Sequence, residues 1–476
     1  MFGGVQFYQI LIRIIRSKFV AVLLGPEGIG IVGLLQSGTQ LIQSFTNMGL
    51  ASSAVRDVSE ANGTGDNQRI SRTVCVVRKL VWFTGILGLL VTAFCSPILS
   101  KMSFGNYDYT IPFIVLSITL LIDQLSAGQM VVLQGLRKLK ELAKCSSYGT
   151  TLGLFISVPI YYWLGIEGIV PTLVLSSFCS LFLSWLFSRK IEIEKVNVTP
   201  KAAIREGRQM LTMGISMSLN GIFGTATAYI IRIFIQDSAG IEMVGLYQAG
   251  VIIISTYVGL IFSAIGTDYY PRLAAINQDN AKCSEAVSQQ GEIATMILGP
   301  MLTVCIVFMP FMLTLLYSSQ FVEANEYVSW ACLGMMLRLA AWVISFLFVA
   351  KAESKLFIVN EGLACIYTVL FSIVGFKYWG LQGIGMAFAL EYLVYFIQVY
   401  AIAKKRYNLK LSIDFVKTYA IQLLCVVLCL CVVLSTEGIL KYLLGTTVII
   451  ISSVLALVGM NKKMDVAAFI KERLGK

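Results

Sequence analysis

The first apolar run of the sequence, at 2–24, carries a row of polar side chains that could bind an anion. The row consists of Gln6, Gln9, Arg13 and Arg16. Their intervals of three and four residues place them on one helical face. Two guanidinium groups on one face can hold a phosphate or diphosphate through paired, charge-assisted hydrogen bonds. Lys18 adds a third positive charge nearer the end of the run.

The elements that must position these groups are transmembrane helices. Hydrophobic residues make up 57% of the chain and charged residues only 13%, whereas a soluble domain has about a quarter charged residues. Apolar runs of about twenty residues recur along the chain, and each is long enough to cross a bilayer. We therefore predict an all-α polytopic membrane protein with about fourteen transmembrane helices. The predicted spans are 2–24, 29–52, 80–99, 112–135, 146–164, 168–188, 209–231, 244–266, 291–317, 326–350, 355–377, 381–403, 417–436 and 440–460.

Charged residues within these spans need a partner, water or a ligand. A helix rises ~16 Å between Arg13 and Leu24, which places Arg13 near mid-bilayer. An arginine at that depth costs at least ~2.5 kcal/mol. A bound anion is the functional explanation, and an ion pair with Asp123 or Glu391 is the structural one. Asp123, Glu391 and Arg338 lie within spans themselves, where they could couple transport to ions or form structural ion pairs.

Further polar residues mark the neighbouring helices as cavity walls. Gln36, Gln40 and Gln43 share one face of the second span. Asn220 lies in the seventh span and Gln248 in the eighth. Together with the first span, these faces could line one watery, cationic cavity. The alternative is that they form hydrogen bonds between packed helices.

The sequence repeats itself at a period of six spans. "GPEGIGIVGLLQSG" at 25–38 returns as "DSAGIEMVGLYQAG" at 237–250, and "YYWLGIEGI" at 161–169 returns as "KYWGLQGI" at 377–384. Their glycines and Pro26 predict turns between helices. Because six is even, both copies cross the membrane in the same sense, and parallel repeats of this kind form substrate sites at their interface. The predicted parts are an N-lobe at 1–190, a cytoplasmic linker at 191–208, a C-lobe at 209–405, two extra spans within 417–460 that pack outside the lobes, and a basic cytoplasmic tail at 461–476.

The distribution of charge predicts the orientation. With both termini in the cytoplasm, nearly all lysines and arginines outside the spans fall on the cytoplasmic side. The exceptions are Lys101, Arg232, Lys377 and Lys441. The net charge of +11 is then explained by topology and lipid headgroups, and no nucleic-acid partner is expected. The first span starts at Met1 without a polar lead, so we expect the native chain to begin upstream.

Several classes of chemistry find no support in the sequence. There is no histidine, which removes the commonest metal ligand and general base. The eleven cysteines form neither metal-binding spacings nor a disulfide framework. No P-loop motif is present. We therefore expect a transporter that is not an enzyme and that uses no cofactor or metal.

Four segments carry a family resemblance: "KFVAVLLGPEGIG" (18–30), "YYPRLAA" (269–275), "LLYSSQF" (315–321) and "FVAKAESKLF" (348–357). In their order and spacing they resemble the polysaccharide-transporter flippases of the Wzx type, within the multidrug/oligosaccharidyl-lipid/polysaccharide exporter superfamily. The resemblance covers roughly residues 10–405. Unlike many such flippases with twelve spans, this chain continues with two more.

The resemblance implies two six-helix bundles that alternate access to a central cavity lined by spans 1, 2, 7 and 8. It implies transport of undecaprenyl-pyrophosphate-linked oligosaccharide from the inner to the outer leaflet of the bacterial cytoplasmic (inner) membrane, for O-antigen, capsule or a related polysaccharide. Arg13, Arg16 and Lys18 would hold the pyrophosphate or acidic sugars. Polysaccharide polymerase and chain-length proteins are implied partners of an expected monomer.

Two other functions remain open at this point. A drug or cation antiporter of the same superfamily would need acidic residues in its cavity, whereas the charges of the first span are all positive. A membrane polysaccharide polymerase would need a catalytic loop, and the predicted outer loops are short.

Overall fold

The computed structural model describes residues 2–191, 194, 196 and 198–463, and nearly all of these residues are helical. Met1, four linker positions and residues 464–476 of the predicted tail lie outside the described residues. The helices are α1 (Phe2–Thr46), α2 (Leu50–Gly63), α3 (Asn67–Phe104), α4 (Thr110–Gly135), α5 (Leu139–Leu164), α6 (Ile169–Ser188), α7 (Pro200–Glu206), α8 (Arg208–Ala239), α9 (Ile241–Ile252), α10 (Gly259–Ala275), α11 (Asn280–Leu316), α12 (Asn325–Ala350), α13 (Ser354–Tyr407), α14 (Ile413–Ser435) and α15 (Gly438–Lys463).

Among the described residues, eleven helical stretches are long and apolar enough to cross a membrane. Three of them are interrupted part-way and hold two spans each. The interruptions fall at Gly25 in α1, at a 3₁₀ turn over Gly165–Gly168 between α5 and α6, and at Trp379 and Gly380 in α13. The part of the chain that the structure describes thus contains the predicted set of fourteen spans, and the predicted fold class is confirmed.

The backbone repeats along with the sequence. Gly25, Arg137 and Gly165 have positive φ, and so do Gly240, Ala352 and Gly380. Each residue of the first set is separated from its counterpart in the second by the same number of residues. At Gly25 and Gly240 the chain leaves the helix, as the glycine-rich repeats predict, because glycine adopts positive φ without steric cost. The six-span period is therefore a property of the chain conformation as well as of the sequence.

The helices extend further than hydropathy predicts. No span is predicted at 53–79 or 267–290, yet most of both stretches is helical. The first contains α2 and the start of α3, where Asp66 caps the helix by accepting hydrogen bonds from the backbone of Gln68 and Arg69. The second contains the end of α10 and the start of α11. Charged residues in water still have good helix propensity, so the helix extends beyond the apolar segment.

By internal contacts the chain forms two compact units. The first runs to Gly245 and includes Leu316–Ser318, and the second holds the remaining residues from Leu246 onward. In the first unit α4 packs against α3 and α6, while α1 packs against α5 and α8. The predicted boundary at 191–208 separates the two six-span repeats rather than these two compact units, and it stays a prediction.

The two extra spans belong to the second unit. α14 and α15 pack together through Gln422, which donates to the Ser452 carbonyl at 3.0 Å and accepts from the Ser452 hydroxyl at 2.6 Å. Phe415 of α14 lies on Gly291 of α11. The opposite faces carry exposed apolar side chains such as Leu424 and Ile450, as lipid contact requires. That both helices lie outside the lobes remains a prediction.

Candidate functional site

A polar cavity of about 270 Å³ lies inside the first unit, among α1, α4 and α6. It is close to mid-membrane, because Asp123 lies near the middle of α4. The cavity brings together five of the predicted residues: Arg16, Gln36, Gln40, Gln43 and Asp123. The other lining residues are Thr39, Leu116, Thr119, Leu120, Leu173, Ser176, Ser177 and Ser180.

Arg16 supplies the positive charge of this cavity. Its side chain is half-buried, and its guanidinium lies beside the hydroxyl of Tyr161 on α5. A guanidinium nitrogen passes over Gly153, where a Cβ atom would come within 3.4 Å of it. The small residue on α5 therefore leaves room for the arginine, and the tyrosine orients it.

The glutamine row forms the α1 wall of the cavity. Gln36, Gln40 and Gln43 follow helical spacing in the second half of α1, after the break at Gly25. Between them, Thr39 turns its hydroxyl back to the carbonyls of Leu35 and Gln36, at 2.9 and 3.0 Å. The amides of the glutamines are thus the hydrogen-bonding groups that this wall offers to a polar ligand.

Hydroxyl groups on α6 complete the cavity, and the sequence analysis missed them. Ser177 lies beside the Asp123 carboxyl group, and the Ser180 and Ser126 hydroxyls are 3.1 Å apart. The Ser176 hydroxyl is buried and has no hydrogen-bond partner among the described residues. The five serines of this apolar span, three of which line the cavity, were the available signal. Such hydroxyls can hydrogen-bond to a sugar or phosphate.

The remaining predicted residues do not line this cavity. Arg13 is exposed on α1, and Lys18 is half-buried on the same helix. Asn220 on α8 and Gln248 on α9 are also half-buried. An exposed arginine at mid-membrane depth needs water or an anion rather than hydrocarbon beside it.

The predicted ion pairs are not formed among the described side chains. The ion pairs present there are Arg69–Glu60, Arg72–Glu206, Lys282–Asp279 and Arg406–Glu353. None of them includes Arg13, Arg16, Asp123, Arg338 or Glu391. Arg338 is instead placed between the rings of Phe262 and Tyr392, at 5.4 and 5.5 Å from their centroids. Aromatic faces attract a cation electrostatically, and Glu391 is close enough to interact with Arg338 through its charge without forming an ion pair with it.

Glu391 belongs to a second polar cluster, inside the second unit. It is 4% exposed, and one of its carboxylate oxygens has no hydrogen-bond partner in the described part of the chain. Nearby, Tyr395 donates to Glu361 at 2.5 Å, and Gln398 donates to Asn360 at 2.6 Å. This cluster could take up a proton or a cation. No group of three or more acidic or thiol side chains among the described residues could hold a metal ion.

Residues 19–326 match the family described as "Polysaccharide biosynthesis protein". The chain belongs to this family. The matched range includes every residue that lines the polar cavity except Arg16. The predicted relationship to polysaccharide transporters is confirmed.

Relatives of this polysaccharide biosynthesis protein include flippases. It is 22% identical to the lipid III flippase of Escherichia coli (strain K12) over 401 residues, which cover 80% of this chain and 91% of the relative. The lipid III flippase of Shigella flexneri matches equally well.

Solved transporters share its fold. The lipid II flippase MurJ in an inward closed conformation aligns with a TM-score of 0.72 at 12% identity, covering 100% of this chain and 99% of MurJ. An inward-facing multidrug resistance MATE family transporter of the MOP superfamily aligns with a TM-score of 0.68 at 15% identity, covering 84% and 94%. The family member therefore has the MurJ and MATE fold.

Proposed function

We propose that the protein is a flippase that moves undecaprenyl-pyrophosphate-linked oligosaccharide repeat units from the inner to the outer leaflet. The bacterial cytoplasmic membrane would hold it, with both termini in the cytoplasm. The repeat units would serve O-antigen, capsule or a related polysaccharide. The names of its relatives support a lipid-linked sugar as substrate.

The observation that carries this proposal is Arg16 in the polar cavity of the first unit. A fixed guanidinium at mid-depth is matched to a phosphate, and the amides and hydroxyls around it are matched to sugar hydroxyl groups. Arg13, exposed on the same helix, gives a second positive charge. Arg13 and Arg16 would hold the pyrophosphate between them.

The energetic need for such a site follows from the substrate. Transferring the charge of a pyrophosphate into hydrocarbon costs tens of kcal/mol by Born estimates. A cationic, hydroxyl-lined passage removes most of that barrier, while the polyprenyl tail remains in the lipid. Alternating access would expose the headgroup first to the cytoplasmic side and then to the outer side.

A drug or cation antiporter is the second candidate, and Asp123 is the observation that favours it. A carboxyl group in the same cavity could bind a cation or a proton, and the MATE transporter shares the fold. The two functions make opposite demands. Anion binding depends on Arg16, whereas cation binding depends on Asp123.

Binding measurements on the purified protein separate these candidates. Native mass spectrometry would compare undecaprenyl-pyrophosphate oligosaccharide with a lipophilic cationic dye, on the unmodified protein and on the variants Arg16→Gln and Asp123→Asn. A flippase should bind the lipid-linked sugar and lose it in Arg16→Gln only. Dye binding that is lost in Asp123→Asn, without binding of the lipid-linked sugar, would favour the antiporter instead.

A further inference from the structure

A second pocket, of about 340 Å³, lies at the end of the first unit that carries α2 and α7, the predicted cytoplasmic end. Its lining residues are Arg78, Gln129, Trp185, Ser188, Arg189 and Ile191. Two are arginines and none is acidic. Neither Arg78 nor Arg189 takes part in an ion pair with a described side chain. The transport proposal makes no use of this pocket.

The pocket offers fixed hydrogen-bond donors. The Nε atom of Arg78 is buried and has no hydrogen-bond partner in the part of the chain that the structure describes, so a donor is desolvated without compensation unless a ligand meets it. Ser188 donates to the Oε1 atom of Gln129 at 2.7 Å, which leaves the amide nitrogen of Gln129 as the end that can donate. Arg189 stacks on the ring of Trp185, 4.8 Å from its centroid. These groups suit a phosphate.

The surroundings of the pocket suit a lipid rather than a free ion. The rings of Phe182 and Trp185 pack 6.3 Å apart, and both side chains are exposed. Tryptophan is typical of the membrane interface, and α6 ends at Ser188, where its apolar run also ends. An acyl chain could lie along Phe182 while the headgroup occupies the pocket. Basic pockets between helices on the cytoplasmic side are typical sites for anionic headgroups.

We propose that this pocket holds the phosphodiester headgroup of a resident anionic phospholipid of the inner leaflet. Arg78 binds the phosphate from the buried side of the pocket, and Arg189 binds it from the exposed side. This lipid is distinct from the transported one. It would tie α3, α4 and α6 together at the membrane surface.

Native mass spectrometry of the delipidated full-length protein tests the proposal, with phosphatidylglycerol and phosphatidylcholine added at equal concentration. The unmodified protein should retain phosphatidylglycerol preferentially. Arg189→Gln and Arg78→Gln should each weaken that retention roughly tenfold, as expected for loss of a charge-assisted hydrogen bond. Arg208→Gln, an exposed arginine at the start of α8 outside the pocket, is the matched control and should behave like the unmodified protein.

Four results would overturn the inference. Equal retention of the two phospholipids, or unchanged retention in Arg189→Gln, would remove the site; because Arg189 is exposed, this variant is expected to fold. Displacement of phosphatidylglycerol by equimolar inorganic phosphate would show a free-phosphate site. Preferential retention of undecaprenyl pyrophosphate, lost in Arg78→Gln, would assign the pocket to the transported lipid. All these readouts are independent of transport.

Discussion

At the scale of single residues, the polar cavity depends on one arginine whose neighbours are shaped to hold it. Gly153 makes room for the guanidinium, and the Tyr161 hydroxyl lies beside it. Asp123 lines the same cavity without forming an ion pair with Arg16 among the described side chains. An arginine that forms no ion pair with a described side chain is suited to bind an anionic ligand.

Arg13 and Arg16 are therefore expected to be needed for transport and not for folding. Arg13→Ala or Arg16→Ala should abolish export of the surface glycan at normal protein abundance. The corresponding lysine variants should restore it only in part, because lysine keeps the charge and loses the guanidinium fork. Glycan export and the abundance of the variant protein in the membrane are measured together, in cells from which the native copy of its gene has been deleted. Normal export in both alanine variants would exclude these roles.

Two adjacent tyrosines test whether Arg16 has to be oriented. Tyr161 is buried beside the guanidinium, whereas Tyr162 is exposed. Tyr161→Phe removes the oxygen next to Arg16 and should slow transport roughly tenfold or more, since the loss of one hydrogen bond to a charged group costs about 1.5–3 kcal/mol. Tyr162→Phe is the control and should transport normally. Equal rates in the two variants would mean that Arg16 needs no support from α5.

At the scale of helices, glycines determine where backbones meet. A Cβ atom on Gly214 of α8 would lie 2.3 Å from the Met48 carbonyl oxygen, so this helix touches the segment between α1 and α2 directly. Gly221, two turns further along α8, has no described atom within 4 Å of its Cβ position. The same substitution should therefore have opposite effects at the two positions.

Gly214→Ala should lower the thermal unfolding temperature of the purified protein by several degrees. Gly221→Ala should leave it unchanged or raise it, because alanine in a helix stabilises by roughly 0.5–1 kcal/mol relative to glycine. Unfolding in detergent, followed by tryptophan fluorescence, measures both. A Gly214→Ala protein as stable as Gly221→Ala would contradict the backbone contact.

Much at the helix scale could be predicted from the sequence, and some could not. The helix breaks at Gly25 and Gly165 follow from glycine and proline chemistry, and the spans follow from hydropathy. The length of α3 does not, because hydropathy falls where the helix enters water although its hydrogen bonds continue. The polar face of α1 could be predicted from the sequence. That α4 and α6 would lie opposite Gln36 and Arg16 could not be predicted, since periodicity within one helix does not identify the helix that packs against it.

At the scale of the whole molecule, the chain is two six-span repeats followed by two further spans, and positive-φ residues recur at one constant separation. Membership of the polysaccharide biosynthesis protein family could be predicted from the order of short segments between 18 and 357. The nature of the sugar could not, because hydroxyls and amides such as those of Ser177 and Gln40 bind many sugars alike.

The most direct test of the proposed function is translocation by the purified protein. Proteoliposomes would receive a fluorescent undecaprenyl-pyrophosphate oligosaccharide in the inner leaflet, and a membrane-impermeant glycosidase outside would report its arrival in the outer leaflet. We predict rapid cleavage with the unmodified protein, and cleavage at the protein-free rate with Arg16→Ala reconstituted at the same density. Cleavage no faster with the unmodified protein than in empty vesicles, or equally fast with Arg16→Ala, would contradict the account.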